Sequence, residues 1–356
     1  MQNRQPLWID GTEISDTTDC YIIAEVGHNH QGSVEKCKEL FRVAKECEVD
    51  AVKLQKRDNR ALYTRAMYDK PYDNENSFGA TYGEHREALE FGWDEYVELK
   101  SYCREIGLTF FATAFDLPSA DFLARLDVPA FKIASGDLKT LPLLRHVAQV
   151  GKPMILSTGG ATMEDIERAY DAILPINRQI CFLQCTAAYP AAPEELNLQV
   201  ISTLRRRFPE LVIGLSDHEN GIAMAPAAYV LGARVVEKHF TLNHTSKGTD
   251  HAFSLEPIGM RKLVRDLRRT RVAMGSGVKC PLPSEKGPLQ KMGKKLVARR
   301  PLAAGHVLTE NDVAMKSPGD GLPPYYLDQV LGRTLVRGLE PDDSISFEVL
   351  SQGEGE

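Results

Sequence analysis

Hydrophobic and polar positions alternate in one repeating pattern along residues 20–275. A short apolar run rich in β-branched residues gives way to a polar or glycine-containing turn. A stretch with apolar residues every three or four positions follows, and the cycle repeats. Eight runs have the first character: YIIAEVG (21–27), AVKLQKR (51–57), TFFATAF (109–115), AFKIASG (130–136), PMILSTG (153–159), ICFLQCT (180–186), LVIGLSD (211–217) and VVEKHF (235–240). Runs like these read as parallel strands buried on both faces. The intervening segments read as helices with one apolar stripe, for which Val34, Cys37, Leu40, Phe41 and Ala44 are an example. Eight strand–helix repeats over about 250 residues predict a (β/α)8 TIM barrel. An open doubly wound sheet is the competing architecture. The barrel is favoured because reactive residue types gather at the C-terminal ends of nearly every strand, and a barrel brings those ends to one face.

Three segments depart from the cycle. LWIDGTEIS near the N-terminus reads as a small hairpin turning at Asp10-Gly11, placed to plug the barrel bottom. Residues 58–92 are too long for a plain crossover and are expected to cover or line a site. After Gly275, GSGVKCPLPSEKGPL reads as a linker. Beyond it, strand-like runs (KLVARR, ISFEVL) alternate with turns and one short helix, LTENDV, with Thr309 as its N-cap. The predicted organisation is a barrel domain over 1–280, a linker over 281–294 and a small second domain over 295–356.

Composition narrows the class. The chain is 43% hydrophobic and 26% charged, as a packed globular protein is. Its net charge of −6 and the lack of a long basic run argue against a nucleic-acid partner. The N-terminus has no signal-type apolar region and no stretch is apolar enough to span a membrane. Seven scattered cysteines without zinc-finger spacing fit free thiols in a reducing compartment, hence a cytoplasmic protein.

The strand ends carry the chemistry. Lys53 and Lys132 lie inside runs that should be buried, where an unpaired ammonium costs several kcal/mol. Each needs an anion, either a barrel carboxylate or a ligand. With Ser135, Ser157 and Ser216 on neighbouring strands, they make a cradle suited to a phosphorylated substrate. His218 and His239 end the last two strands, about 5 Å apart in a barrel. Two imidazoles there can hold a divalent metal, with substrate completing its shell. Glu25 is the only acid in the first strand, and reads as either a salt-bridge partner of Lys53 or a tuned acid/base. STGG at 157–160 could seat a phosphate on backbone N–H groups.

Taken together, these residues resemble the sialic acid synthase family. The matching strings are AEVGHNHQGS, TYGEHR, KIASGD, LSTGG, LQCTAAYP, IGLSDHENG, EKHFT and KGTDHAFSLEP, in order along the barrel. TYGEHR, LQCTAAYP and KGTDHAFSLEP are similar to the animal-type branch. VARRPLAAGHVLTENDV resembles the family's C-terminal antifreeze-like (SAF) domain. The resemblance implies a metal-dependent condensation (Mn2+, Mg2+ or Co2+) of phosphoenolpyruvate with N-acetylmannosamine, its 6-phosphate or a related hexose. The product is a nine-carbon 2-keto-3-deoxy sugar acid. It implies Glu25, Lys53 and Lys132 as catalytic, with Lys53, Thr113, Lys132, Ser135, Ser157 and Ser216 around phosphoenolpyruvate. Gln55, Tyr189, Asp250 and Tyr82 would hold the sugar, and His218 and His239 the metal. It also implies a domain-swapped homodimer.

The sequence departs from the family pattern at three places. Ala187 stands where bacterial members have Asn. Asp137 replaces a longer acid. Ser317 in KSPGDG replaces an Arg that contacts the sugar's acyl group, and a serine supplies no guanidinium fork. Mannose, mannose 6-phosphate and bacterial diamino sugars therefore stay open as substrates. A non-enzymatic carbohydrate-binding protein and a pyruvate-dependent lyase or aldolase are the alternatives from other classes.

Overall fold

The computed structural model describes residues 4–351. The outermost ends of the two predicted domains, 1–3 and 352–356, lie outside the described residues. The chain divides into two compact units, Met1–Gly275 and Ser276–Glu356.

In the first unit a short antiparallel hairpin, β1 (Leu7–Ile9) and β2 (Thr12–Ile14), precedes eight parallel strands. These are β3 (Tyr21–Gly27), β4 (Ala51–Lys56), β5 (Thr109–Ala114), β6 (Phe131–Ile133), β7 (Met154–Ser157), β8 (Ile180–Cys185), β9 (Val212–Asp217) and β10 (Val235–His239). β10 pairs with both β9 and β3, so the ring closes and the open-sheet alternative falls. All eight apolar runs are strands, and the Cys37, Leu40, Phe41 and Ala44 stripe of the first barrel helix is buried. The hairpin turns at Asp10 (φ 50°) and Gly11 (φ 77°), the left-handed pair of a type I′ turn. Leu7, Ile9 and Ile14 are buried while Trp8 faces out. The hairpin is tied to the N-terminal ends of the strands: Trp8 N donates to Gln179 Oε1 (3.1 Å) and Thr109 Oγ1 to Asp10 Oδ2 (3.2 Å). It caps the bottom of the barrel.

The segment over 58–92 contains short helices, Asn59–Leu62, Arg65–Tyr68 and Tyr82–Glu87. The last is fixed by a capping box, in which Glu84 N donates to Thr81 Oγ1 and the Glu84 carboxylate accepts from Thr81 N.

The second unit packs Leu296, Leu308, Val330, Leu335 and Ile345 around β11 (Lys295–Ala298) and β12 (Val313–Lys316), an antiparallel pair. Here the sequence expectations need correction. LTENDV is a single 3-10 turn, Glu310–Asp312, because Asp312 folds back onto Thr309 N and Oγ1. ISFEVL is not a strand: it contributes one isolated bridge, Leu335 to Leu350, and a 3-10 turn over Phe347–Val349. The residues read as linker include a helix, Lys286–Met292. A further short helix, Leu327–Val330, was not anticipated.

Candidate active site

The strand register sets the site. Glu25 on β3 lies beside Lys53 on β4 and beside His239 on β10, and Thr113 on β5 beside Lys132 on β6. Their side chains open into one cavity of about 310 Å³ at the C-terminal mouth. A larger groove of about 900 Å³ opens at the opposite end, lined by surface charges such as Lys45, Glu48 and Lys152. None of the strand-borne reactive groups reaches it.

The cavity floor is ionic and buried. Glu25, Lys53, Lys132 and Glu237 are each at most 5% exposed. Lys53 Nζ lies 2.5 Å from Glu25 Oε2, misaligned for a hydrogen bond, and 3.7 Å from Glu237 Oε1. It donates to Thr113 Oγ1 at 2.8 Å. Lys132 Nζ lies 3.8 Å from Glu237 Oε1 and donates to Ser157 Oγ at 2.6 Å. Both lysines are thus paired with barrel carboxylates and also line the open cavity. Burial pushes the Glu25 carboxyl up to about 7 against the pull of Lys53, with Glu237 adding to the rise. Burial lowers Lys132 against the opposing pull of Glu237. Glu237 is itself buried, yet Lys132 and Lys53 together draw it below its ordinary value. A carboxyl poised near neutrality beside a carboxylate and two ammoniums can move a proton at working pH.

Lys238 provides the internal control. It is fully buried, and its ammonium meets Asp217 Oδ2 at 2.8 Å and the Glu219 carbonyl at 2.5 Å. It has satisfied partners and no cavity, so it is structural.

Gln55 Nε2 donates to Glu25 Oε1 at 2.6 Å. Gly27 (φ 54°) permits this crowding, since a Cβ there would meet Glu25, Asp250 and Gln55 at about 3.3 Å or less. Ser135 Oγ accepts from Gly159 N at 3.0 Å, so that N–H of the STGG turn is already occupied. Ala187 also lines the cavity and adds no polar group.

His218 and His239 converge with ring centroids 5.5 Å apart. His218 Nδ1 sits 2.8 Å from the Thr186 carbonyl, which only a donor can satisfy, leaving Nε2 as a lone pair. His239 Nδ1 is buried with no hydrogen-bond partner, and the Asp250 carboxylate is 3.9 Å away. Burial holds both imidazoles down at about 4, hence neutral and able to ligate. Among the described residues no three His, Cys, Asp or Glu groups converge on one point. The donor set fits a two-histidine metal site whose remaining positions belong to ligands.

Every site residue anticipated from the sequence lines the cavity except Tyr82. Its hydroxyl instead accepts from Arg86 Nε (3.1 Å) and Nη2 (2.9 Å), so it stands one step behind Arg86. Sequence reasoning missed Arg57 and Arg86 as cavity groups and left His28 and Glu237, both seen at strand ends, without a role. One signal was present: Lys53, Gln55 and Arg57 alternate at period two along a single strand and so share its inner face.

A family model described as the NeuB family matches residues 40–279, more than half of the chain. The chain belongs to the NeuB family. A SAF domain model matches residues 295–350. The N-acetylneuraminate-9-phosphate synthase of Mus musculus is 42% identical over 342 residues, covering 96% of this chain and 94% of that protein. Its Homo sapiens counterpart is 41% identical with the same coverage. The crystal structure of an N-acetylneuraminic acid synthetase from Leptospira borgpetersenii, in complex with citrate, superposes with a TM-score of 0.70 at 30% identity. That match covers 81% of this chain and 96% of the other.

Proposed function

We propose that this NeuB-family enzyme condenses phosphoenolpyruvate with the aldehyde of an open-chain 2-acylamino-hexose, releasing inorganic phosphate and a nine-carbon 2-keto-3-deoxy sugar acid. The observation that carries this reading is the floor of the cavity. Two ammoniums and two strand hydroxyls face the same space as a carboxyl lifted to about 7. Lys53, Lys132, Thr113, Ser135, Ser157 and Ser216 hold the phosphate and carboxylate of phosphoenolpyruvate. The methylene carbon of that substrate bonds to the aldehyde carbon, and the aldehyde oxygen takes up a proton. Water adds to the resulting cationic carbon, and Glu25 takes the proton that the water loses. Glu25 returns it to the bridging oxygen as the C–O bond breaks and phosphate departs, and the remaining C2 hydroxyl gives up its proton to solvent to leave the 2-keto group, which balances the proton the aldehyde oxygen drew from solvent. Gln55, Tyr189 and Asp250 hold the sugar. His218 and His239 would hold a divalent metal (Mn2+, Mg2+ or Co2+), whose chemistry when bound is Lewis-acid polarisation of the aldehyde oxygen.

We read the chain as a cytoplasmic homodimer in which the small domain of one copy caps the barrel of the other. Its support is the connecting segment, where Val278, Leu282, Leu289 and Met292 are all more than half exposed and so available to a second copy. Sedimentation at micromolar concentration giving only a 39.6 kDa species would overturn this. Among the described residues no helix is long and apolar enough to cross a membrane. Six of the seven free thiols are buried, which suits a reducing compartment.

The test is phosphate release over N-acetylmannosamine, its 6-phosphate, mannose, mannose 6-phosphate and diamino-hexose analogues. Release should require phosphoenolpyruvate, sugar and metal together. EDTA should stop it and added Mn2+ restore it, whereas His239→Ala should lack turnover at any metal concentration while melting as the wild type does. No product with any sugar, or undiminished turnover in His239→Ala, would sink the synthase or the metal site respectively. Turnover of pyruvate with borohydride trapping on Lys53 or Lys132 would instead select the aldolase.

A further inference from the structure

Glu237 lines the same cavity as Lys53 and Lys132, yet it takes no part in the proton transfers assigned to Glu25. It lies on β10 beside Ser216 of the neighbouring strand. β6, which carries Lys132, is the strand diametrically opposite in the closed ring, so Glu237 meets Lys132 across the barrel interior. Glu237 Oε1 is 3.7 Å from Lys53 Nζ and 3.8 Å from Lys132 Nζ. Both gaps are too long for a hydrogen bond. Oε2 is buried with no hydrogen-bond partner.

A structural ion pair in this barrel has a different geometry. Lys238, the next residue along the strand, bonds Asp217 Oδ2 directly at 2.8 Å. Lys53 and Lys132 give their hydrogen bonds to other groups. Lys53 donates to Thr113 Oγ1, and Lys132 donates to Ser157 Oγ and to the Ile133 carbonyl at 3.0 Å. A carboxylate taken out of water without a bond from either lysine adds little to stability. What Glu237 supplies is a fixed negative charge almost equidistant from two ammoniums. It cancels one of their two positive charges where an anion would bind.

The consequence falls on the anion that the reaction leaves behind. Phosphoenolpyruvate offers the lysines a carboxylate and a phosphate. After C–O cleavage the same floor faces free phosphate, which two unscreened ammoniums in a buried site would retain. We propose that Glu237 acts through Lys53 and Lys132 to weaken the floor's hold on inorganic phosphate, and so lets this product leave. This rests on the synthase reading of the same cavity.

The test uses the full-length chain with saturating Mn2+ at pH 6.5, well to the acid side of an ordinary lysine. Phosphate formed is read after acid quench, and phosphate released by a fluorescent phosphate-binding reporter. In the wild type the two should rise together. Glu237→Gln keeps the shape and removes the charge. In that variant formation should run ahead of release in the first turnover, with kcat lower by roughly 10-fold. The inhibition constant of phosphate against phosphoenolpyruvate should fall by a similar factor. Glu237→Asp keeps the charge and should recover most of both effects. A wild type in which release lags formation would overturn the proposal, whether or not the variants fold. Unchanged or weaker phosphate inhibition in Glu237→Gln would also overturn it and leave Glu237 as a counter-ion alone. If no sugar yields phosphate, it is the synthase reading that falls. Calorimetry of inorganic phosphate on wild type and Glu237→Gln then still decides: tighter binding in the variant supports the role of Glu237, and equal, weaker or absent binding ends it.

Discussion

Each unit of the chain buries a carboxylate, and the two are treated in opposite ways. In the second unit Asp312 has no exposed side-chain surface. Burial opposes its ionisation, yet bonds from Thr309, His306 and Arg300 outweigh it and hold the carboxyl well below the usual range. In the barrel Glu25 is equally buried but has one misaligned ammonium and one amide, and burial wins. Full satisfaction makes a structural pin, whereas partial satisfaction leaves a group free to exchange a proton.

The comparison can be broken most directly at Glu25. Glu25→Gln should lower kcat by roughly 10²–10⁴ in the phosphate-release assay while melting no lower than the wild type, because a neutral amide removes a desolvated charge. Asp312→Asn should do the reverse: near-normal kcat in the same phosphate-release assay, but a melting temperature lower by roughly 5 °C or more in calorimetry. A variant pair with the two effects exchanged would dissolve the distinction.

A pH series sharpens it. Glu25 goes from an ordinary value of 4.5 to about 7 on folding, so the folded chain alone keeps the proton between those limits. Its contribution to stability is present below about 4.5 and is lost as pH rises through about 7. Glu25→Gln lacks that loss. Urea unfolding should show the variant gaining on the wild type by on the order of 2 kcal/mol from pH 4.5 to 7.5, and a flat difference would show that Glu25 is not desolvated. The smallest expected effect is at Tyr82. Tyr82→Phe removes the oxygen that orients Arg86 and should raise KM for the sugar roughly 3- to 10-fold with kcat nearly unchanged.

The barrel was legible because its strands are unbroken apolar runs, and a lysine inside such a run stands out. Lys53, Lys132, His218 and His239 were visible for that reason. Arg57 was not, because it follows a second lysine, Lys56, at a strand end where charge is unremarkable. Arg86 was hidden in a helix, where it reads as a solvated face until the fold turns that helix toward the mouth. Glu237 was seen at a strand end, but its link to both lysines needs the register of the closed ring. The second unit was misread at ISFEVL because its buried residues, Ile345 and Val349, are held by single backbone hydrogen bonds to Leu296 and Val336 and by a turn, which alternation alone does not encode.

The hairpin under the barrel has a kinetic consequence. With Leu7, Ile9 and Ile14 closing the base, reactants enter and products leave by one mouth. Under the proposed reading phosphoenolpyruvate is held at the Lys53 level, beneath the Gln55 level that holds the sugar, so a sugar that arrives first should block its path and addition should be ordered, phosphoenolpyruvate before sugar. Excess sugar should inhibit the reaction, and raising phosphoenolpyruvate should relieve that inhibition.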